Sequence, residues 1–440
     1  MRKTLVLIVS INLLLIVSIA SVNALELDKP SKPSFEVNIT FADIYVDDDA
    51  KIGGDGSYRH PFQSIQDGID AASTGDTVFV LEGIYYENVV VNKPLTLIGQ
   101  KQTTTIINGG GNGNVLNISS SYVTFKKFSV ENSGASGWPA GITVWSKKGE
   151  IFIKNIYIKD CIIRYNCKGI LHRYVSECTI TNCHIHDCEE SSINFKDDFS
   201  ENILIDNCIL NNNGKNDGYT YYSGGIVFSL EKPPLTNDPI NIKISNCKIF
   251  DNEGNGIDTI STRDDRMFDN LEIFNNNIYR NTVKGISIED VKNLQIHNNH
   301  IYENELFGIM LTELYSLDCS YNVFDNIISC NGGDGEEIIN AGIVANTCID
   351  CVTIKHNTIS SNTNFGVLMI SSTGNKIIEN NFINNKNSSS FIYDKFSYSN
   401  KWDKNYWDKP RYFPYPVYGM ILLIPWVEFD WHPAKTPYSI

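Results

Sequence analysis

The chain has 440 residues, 42% of them hydrophobic, with 14 Pro and no Ser/Gly-rich or charged run that would serve as a linker. Its 36 basic and 51 acidic residues give a net charge of −15. A surface of that sign repels phosphate backbones and anionic membranes, and no basic stripe offsets it, so nucleic acid is excluded as a partner.

The first element is a targeting segment. Arg2 and Lys3 precede an apolar run from Leu5 to Ala20, and Val22-Asn23-Ala24 supplies small residues at a cleavage site. We read residues 1–24 as a signal peptide, whose removal moves the net charge to −17 by taking away Arg2 and Lys3. Left uncleaved, the run would act as an N-terminal membrane anchor, although it is slightly short for a bilayer. Either outcome places the rest of the chain outside the cell or at its surface.

Residues 41–110 differ from the remainder of the chain. Pro61 through Ser73 has Phe62, Ile65, Ile69 and Ala72 at helical spacing, which predicts a short helix with one apolar face. A Gly75-Asp76 turn and apolar strand-like runs come next. An apolar helix here would cover the open end of a solenoid, where core and strand edge are otherwise exposed.

From 111 to 392 the chain repeats. The pattern I-x-I-x-x-[CN]-x-I-x-x-N recurs in IYIKDCIIRYN (156–166), CTITNCHIHDC (178–188), ILIDNCILNNN (203–213), IKISNCKIFDN (242–252), LEIFNNNIYRN (271–281), LQIHNNHIYEN (294–304) and VTIKHNTISSN (352–362). Most copies lead to a Gly-Ile or Gly-Val pair, from Gly169-Ile170 to Gly366-Val367. The shortest period is about 22 residues and apolar residues alternate within it, which means short strands that bury their inner faces only by stacking on the next copy. The fold class is therefore all-β, a right-handed parallel β-helix of about ten rungs about 4.8 Å apart.

One repeat position carries Cys161, Cys183, Cys208 and Cys247, then Asn276, Asn299, Asn322, Asn357 and Asn380. Stacked Asn side chains form hydrogen-bonded ladders, and Cys fills the same inward space as a compact hydrophobe. Disulfides within this column are disfavoured, because adjacent rungs hold Cβ atoms farther apart than the roughly 3.5–4.5 Å a disulfide spans. Cys348 and Cys351 could close a small disulfide. Residues 393–440 hold Trp402, Trp407, Trp426 and Trp431, a density that suits a non-repeating cap, with a sugar-binding or surface-attachment element as the other reading.

The segment G-D-G-S (54–57), P-F-Q-S-I-Q-D-G-I (61–69), G-D-T-V (75–78), G-I-Y-Y-E-N-V (83–89) and L-I-G (97–99) resembles the start of secreted pectin-lyase-like β-helix proteins, particularly the NosD-like group. The repeats are similar to that superfamily's, and the end of the chain (NKWDKNYWD, PVYG, DWHPAKTPYSI) resembles a tail found on secreted archaeal β-helix proteins. The resemblance implies polysaccharide as partner, or, for the NosD-like group, a metal-accessory role tied to copper. The motifs for either are thin. Polygalacturonases carry N-T-D, a paired Asp, G-H-G and R-I-K, of which only Asp197-Asp198 has an echo here. The eight His are scattered, His184 and His186 sharing one strand face.

Alternation places two residues of each Gly-Ile strand outward, including Thr143 and Trp145, Leu171 and Arg173, Asn194 and Lys196, Asp258, Ser287 and Glu289. Rung spacing groups Arg173, Lys196, Asp197, Asp198 and Asp258 as a candidate catalytic patch. Within it Asp197, Asp198 and Asp258 are hard oxygen ligands suited to calcium. Trp138, Trp145, Asn194, Tyr219, Tyr221, Tyr222, Arg263 and Glu289 are candidate sugar contacts, several on the longer turns that would wall this face. We expect a monomer that binds polysaccharide on the outer face. A lyase or glycoside hydrolase is the second reading, and a surface, adhesion or metal-accessory protein the third.

Overall fold

In a computed structural model the described residues run from 42 to 440, except 136–138, 147–152, 197–199, 215–222, 231–240, 262–268, 315–318, 334–339 and 394–398. The leader therefore lies outside them, as do Trp138, Asp197, Asp198, Tyr219, Tyr221, Tyr222 and Arg263.

Between the ends, each turn of the chain contributes one strand to each of three sheets, which hold 14, 14 and 13 strands among the described residues. The first sheet runs from Ile44–Val46 to Lys401–Asp403, the second from Val89–Val91 to Ile424–Asp430, and the third from Gly83–Tyr86 to Tyr406–Trp407. Neighbours pair in parallel throughout, save the final antiparallel pair Tyr415–Ile421 and Ile424–Asp430. The stack is taller than the repeats alone indicate. Residues 44–110 already contribute strands to the three sheets, and the tail adds Lys401–Asp403 and Tyr406–Trp407 at the other end.

Inward columns of β-branched and Leu side chains make one continuous core, as in Ile278, Ile301, Ile328 and Ile359 of the third sheet, all fully buried. Corners are cut by single residues in the left-handed region followed by an inward amide, such as Asn298 (φ 55°) before Asn299 and Glu303 (φ 55°) before Asn304. Asn and Asp tolerate that conformation better than other side chains, which accounts for the Asn-Asn and Asp-Asn pairs of the repeat.

The column that begins at Cys161 continues through Asn276 and Asn299 to Asn326, Asn357, Asn380 and Asn405. Asn326, not Asn322, is the member on its rung. Asn322 pairs with Gln295 and Thr353 on the outer side of the first sheet, because Tyr321 and Val323 are the inward residues there. A second ladder lies at the next corner: Asn213, Asn252, Asn281, Asn304, Asn331, Asn362 and Asn385, each Nδ2 donating to the following Oδ1 at 2.8–3.1 Å. The Gly-Ile glycines stand against it. A Cβ on Gly285 would lie 2.7 Å from the Gly308 carbonyl oxygen and 2.9 Å from Asn304 Nδ2, so no side chain fits.

The N-terminal helix spans Ile65–Ala71, shorter than Pro61–Ser73, since Phe62 pairs as a bridge with Val46 and Ser64 takes the cap position. Ser64 Oγ accepts from the Asp67 N–H at 3.1 Å, while Glu87 accepts from the Ile65 and Gln66 N–H groups at 2.8 and 3.0 Å. Glu87 of the G-x-Y-x-E-N segment is thus a tie between the first rungs and the helix that covers them. At the far end, Trp402 and Trp407 are buried, and Trp407 stacks on Phe382 at 4.5 Å and on Tyr415 at 4.2 Å. All eleven Cys are unbridged, Cys348 and Cys351 included. No described helix is long and apolar enough to cross a membrane.

Candidate functional site

The outer face of the second sheet is built from three columns at strand spacing. The middle one reads Asn117, Thr143, Leu171, Asn194, Val227, Asp258 and Ser287, the order that alternation gives. All but Asn117 are less than a tenth exposed. Asn117 Oδ1, Thr143 Oγ1 and Asn194 Oδ1 are buried with no hydrogen-bond partner among the described residues. Unpaired polar atoms in one column are costly, and they mark where a ligand or water would bind.

Asp258 sits two strands beyond Asn194 in this column. Burial pushes its carboxyl above the ordinary value, offset in part by hydrogen bonds from Asn255 and Ser287 and by the Lys284 ammonium. Lys284 Nζ also donates to Ser287 Oγ at 3.3 Å. Lys284, Asn255 and Ser287 were not singled out by sequence reasoning as members of the catalytic patch. Lys284 falls at the first position of its strand, before the Gly-Ile pair, so the outward residues counted after that pair pass it over. A carboxyl raised by burial beside an ammonium suits proton transfer. That ammonium also disfavours a cation at Asp258.

Of the other residues grouped by rung spacing, Trp145 pairs with Arg173, whose guanidinium lies 5.8 Å from the Trp145 ring centre. Lys196 pairs with Ser229 and Glu289 with Thr312 in the same outer column, at its start and farther along. Asn194 Nδ2 reaches Ser191 Oγ at 3.3 Å. Toward the C-terminal end the face turns apolar, with Phe307, Met310, Val344, Phe365 and Leu368 packed together. The His184 and His186 rings lie 4.2 Å apart and tilted by 35°, one bonded to Asn211 Oδ1 (2.8 Å) and the other to Asp187 Oδ2 (2.7 Å).

The tail divides its aromatics. Trp402 and Trp407 are core, whereas Trp426 and Trp431 stay more than half exposed around a cleft of about 520 Å³ shared with Asp403, Phe429 and His432.

Three stacked parallel sheets define a β-helix, and a family model described as "Right handed beta helix region" matches residues 102–270. The chain is a right-handed parallel β-helix. Among solved structures it is similar to the A-module of Azotobacter vinelandii mannuronan C-5 epimerase AlgE6, with a TM-score of 0.59 and 14% identity over 76% of this chain and 92% of that one. It is also similar to the AlgE4 A-module from the same organism, with a TM-score of 0.56 and 16% identity over 77% and 94%. At this identity the likeness concerns the winding alone. No curated protein matches the chain.

Proposed function

We propose that this is a secreted β-helix, with residues 1–24 as its leader, that binds polysaccharide along the outer face of the second sheet. The observation that carries the reading is the set of buried oxygens without partners, Asn117 Oδ1, Thr143 Oγ1 and Asn194 Oδ1, in register along one column. A polymer of hydroxyl donors with its own repeat matches such a row, and Trp145 with Arg173 at the edge offers a stacking surface and a charge for it. The similar structures are named as enzymes of mannuronan, a polysaccharide, and agree with that ligand class.

The test is a titration of the full chain against uronic-acid and neutral polysaccharides. Binding is expected, with Asn194→Ala weakening it about tenfold, or about 1.4 kcal/mol. No binding to any member, or an unchanged Asn194→Ala, overturns the reading.

A second reading, catalysis, is favoured by Asp258 alone. In it, Asp258 moves a proton on the bound sugar while Lys284 and Ser287 hold the carboxyl in place. Asp258→Asn should then abolish product formation and leave binding intact. Failure to detect unsaturated, epimerised or shortened products from any bound polysaccharide removes the catalytic reading and keeps the binding one.

A further inference from the structure

At the corner between the second and first sheets amides stack only near the C-terminal end of the described rungs. Asn375 donates through Nδ2 to Asn400 Oδ1, and its own Oδ1 accepts from the Cys351 and Val352 N–H groups at 3.2 and 2.9 Å. One rung earlier no amide follows. Instead Glu313, just past strand Phe307–Thr312, meets Cys351 and Cys319, which precede the first-sheet strands Val352–Lys355 and Ser320–Phe324. The three ligand atoms lie within 4.8 Å of one another. Glu313 and Cys351 are buried, and Cys319 is half-buried against the core.

The carboxylate is poorly matched. Glu313 Oε2 accepts from the Cys351 thiol at 3.3 Å and from the Ile349 N–H at a long 3.5 Å. Among the described residues it forms no ion pair, although it is only 6% exposed. A buried carboxylate normally has a cation or a set of strong donors, and its desolvation is otherwise unfavourable. A metal ion would supply the missing charge. Tetrahedral zinc, with Zn–S about 2.3 Å and Zn–O about 2.0–2.2 Å, sets ligand atoms roughly 3.5–3.8 Å apart, which these side chains reach by small rotations.

We propose that Glu313, Cys319 and Cys351 form a structural zinc site that fastens this corner. The donor set selects the metal. Two thiolates favour a soft or borderline ion, and the carboxylate oxygen disfavours Cu(I), leaving Zn(II). Cys348 is the nearest candidate for the fourth ligand, being in side-chain contact with Cys351 and fixed through its N–H to Ser372 Oγ at 2.9 Å. Binding deprotonates the thiols and releases their protons to solvent, so affinity falls as the pH is lowered. The Asn375 bonds to Cys351 and Val352 hold the backbone in place before the ion arrives, as outer-shell groups do at metal sites.

The experiment loads the full chain, kept reduced, with one equivalent of zinc, removes free metal and measures zinc per chain, using cobalt in parallel as an optical probe. About one zinc per chain is expected, with thiolate-to-cobalt charge-transfer absorption that zinc displaces. Cys319→Ser and Glu313→Gln should each weaken retention at least about tenfold, while Cys330→Ser, at an exposed cysteine elsewhere, should not change it. Circular dichroism and thermal melting of the variants confirm that they remain folded. Glu313→Gln, which is close to isosteric, guards against a folding defect in Cys319→Ser. The proposal is overturned if the reduced wild type retains no zinc, if both variants retain it unchanged, or if intact-mass analysis of the folded protein shows a Cys319–Cys351 disulfide that persists in the presence of zinc.

Discussion

The corner column has two halves that solve one packing problem with different chemistry. From Cys161 to Cys247 it is sulfur, and each thiol donates to a carbonyl of its own rung: Lys159 at 3.2 Å, Thr181 at 3.4 Å, Asp206 at 3.4 Å and Ser245 at 3.0 Å. From Asn276 onward it is amide, and each Asn reaches three rungs. Asn357 Nδ2, for instance, donates to Lys355 O of its own rung at 3.0 Å, to Val323 O of the rung before at 2.9 Å and to Asn380 Oδ1 of the rung after at 3.0 Å. The thiols touch the rung before only through long contacts of 3.7–3.8 Å to Ile158 O, Ile180 O and Ile205 O, so the amide half ties the rungs together more strongly. Aligned amide dipoles strengthen one another, and the chain of donors needs a pure acceptor at its end. Asp430 supplies it, taking Asn405 N–H at 2.8 Å, Asn405 Nδ2 at 3.2 Å and Trp407 Nε1 at 3.0 Å.

This contrast can be broken most severely at the terminator. Asp430→Ala leaves several buried donors unmatched and should cost roughly 3–5 kcal/mol in denaturant unfolding, with Asp430→Asn recovering part because its oxygen still accepts. A melting curve like the wild type's would mean that the amide column needs no end acceptor.

The rung that carries Cys161 has a weak point of its own in His172, which is fully buried. It stacks on Phe195 at 4.9 Å, and Phe195 stacks on Phe228 at 4.5 Å. Burial lowers its pKa from 6.5 to about 3. The unfolded chain therefore takes up the proton first, so stability is full above the unfolded value and falls as pH drops from 6.5 toward about 3. His172→Phe should remove an acid loss on the order of 5 kcal/mol, read as melting temperature against pH. Equal acid sensitivity in both proteins would place the titrating group elsewhere.

Within the amide half, Asn299→Leu keeps the volume and removes bonds to Ile273 O, His297 O and Asn326 Oδ1, so a loss of about 1–3 kcal/mol is expected. The matching change in the thiol half, Cys208→Ala, deletes one buried sulfur and should cost only about 1 kcal/mol. Thiol labelling sharpens the same point. Cys161, Cys183, Cys208 and Cys247 are each about 1% exposed, so native labelling should reach exposed Cys330 and spare these four. Comparable losses for the Asn and Cys variants would show that packing alone carries the column.

The sequence by itself determined the winding, because inward alternation, a short period and the Gly-Ile pairs are local signals that stacking merely repeats. It determined the middle outer column as well, from Thr143 and Asn194 to Asp258, since strand parity and rung count settle which residues share a line. It did not determine the register where the repeat is disguised: at Tyr321 a buried aromatic stands where Ile or Leu is usual, and Asn322 passes for a ladder residue in place of Asn326. The third dimension alone decided what surrounds each charge. Asp258 faces Lys284 of the next strand, a neighbour 26 residues later in the chain. Glu313, Cys319 and Cys351 meet only because a corner brings two connections, 313–319 and 347–351, to one point. The physical reason is that a β-helix reads its core from local pattern, one rung at a time. Its sites depend on side chains from different rungs and corners, whose contacts no single repeat encodes.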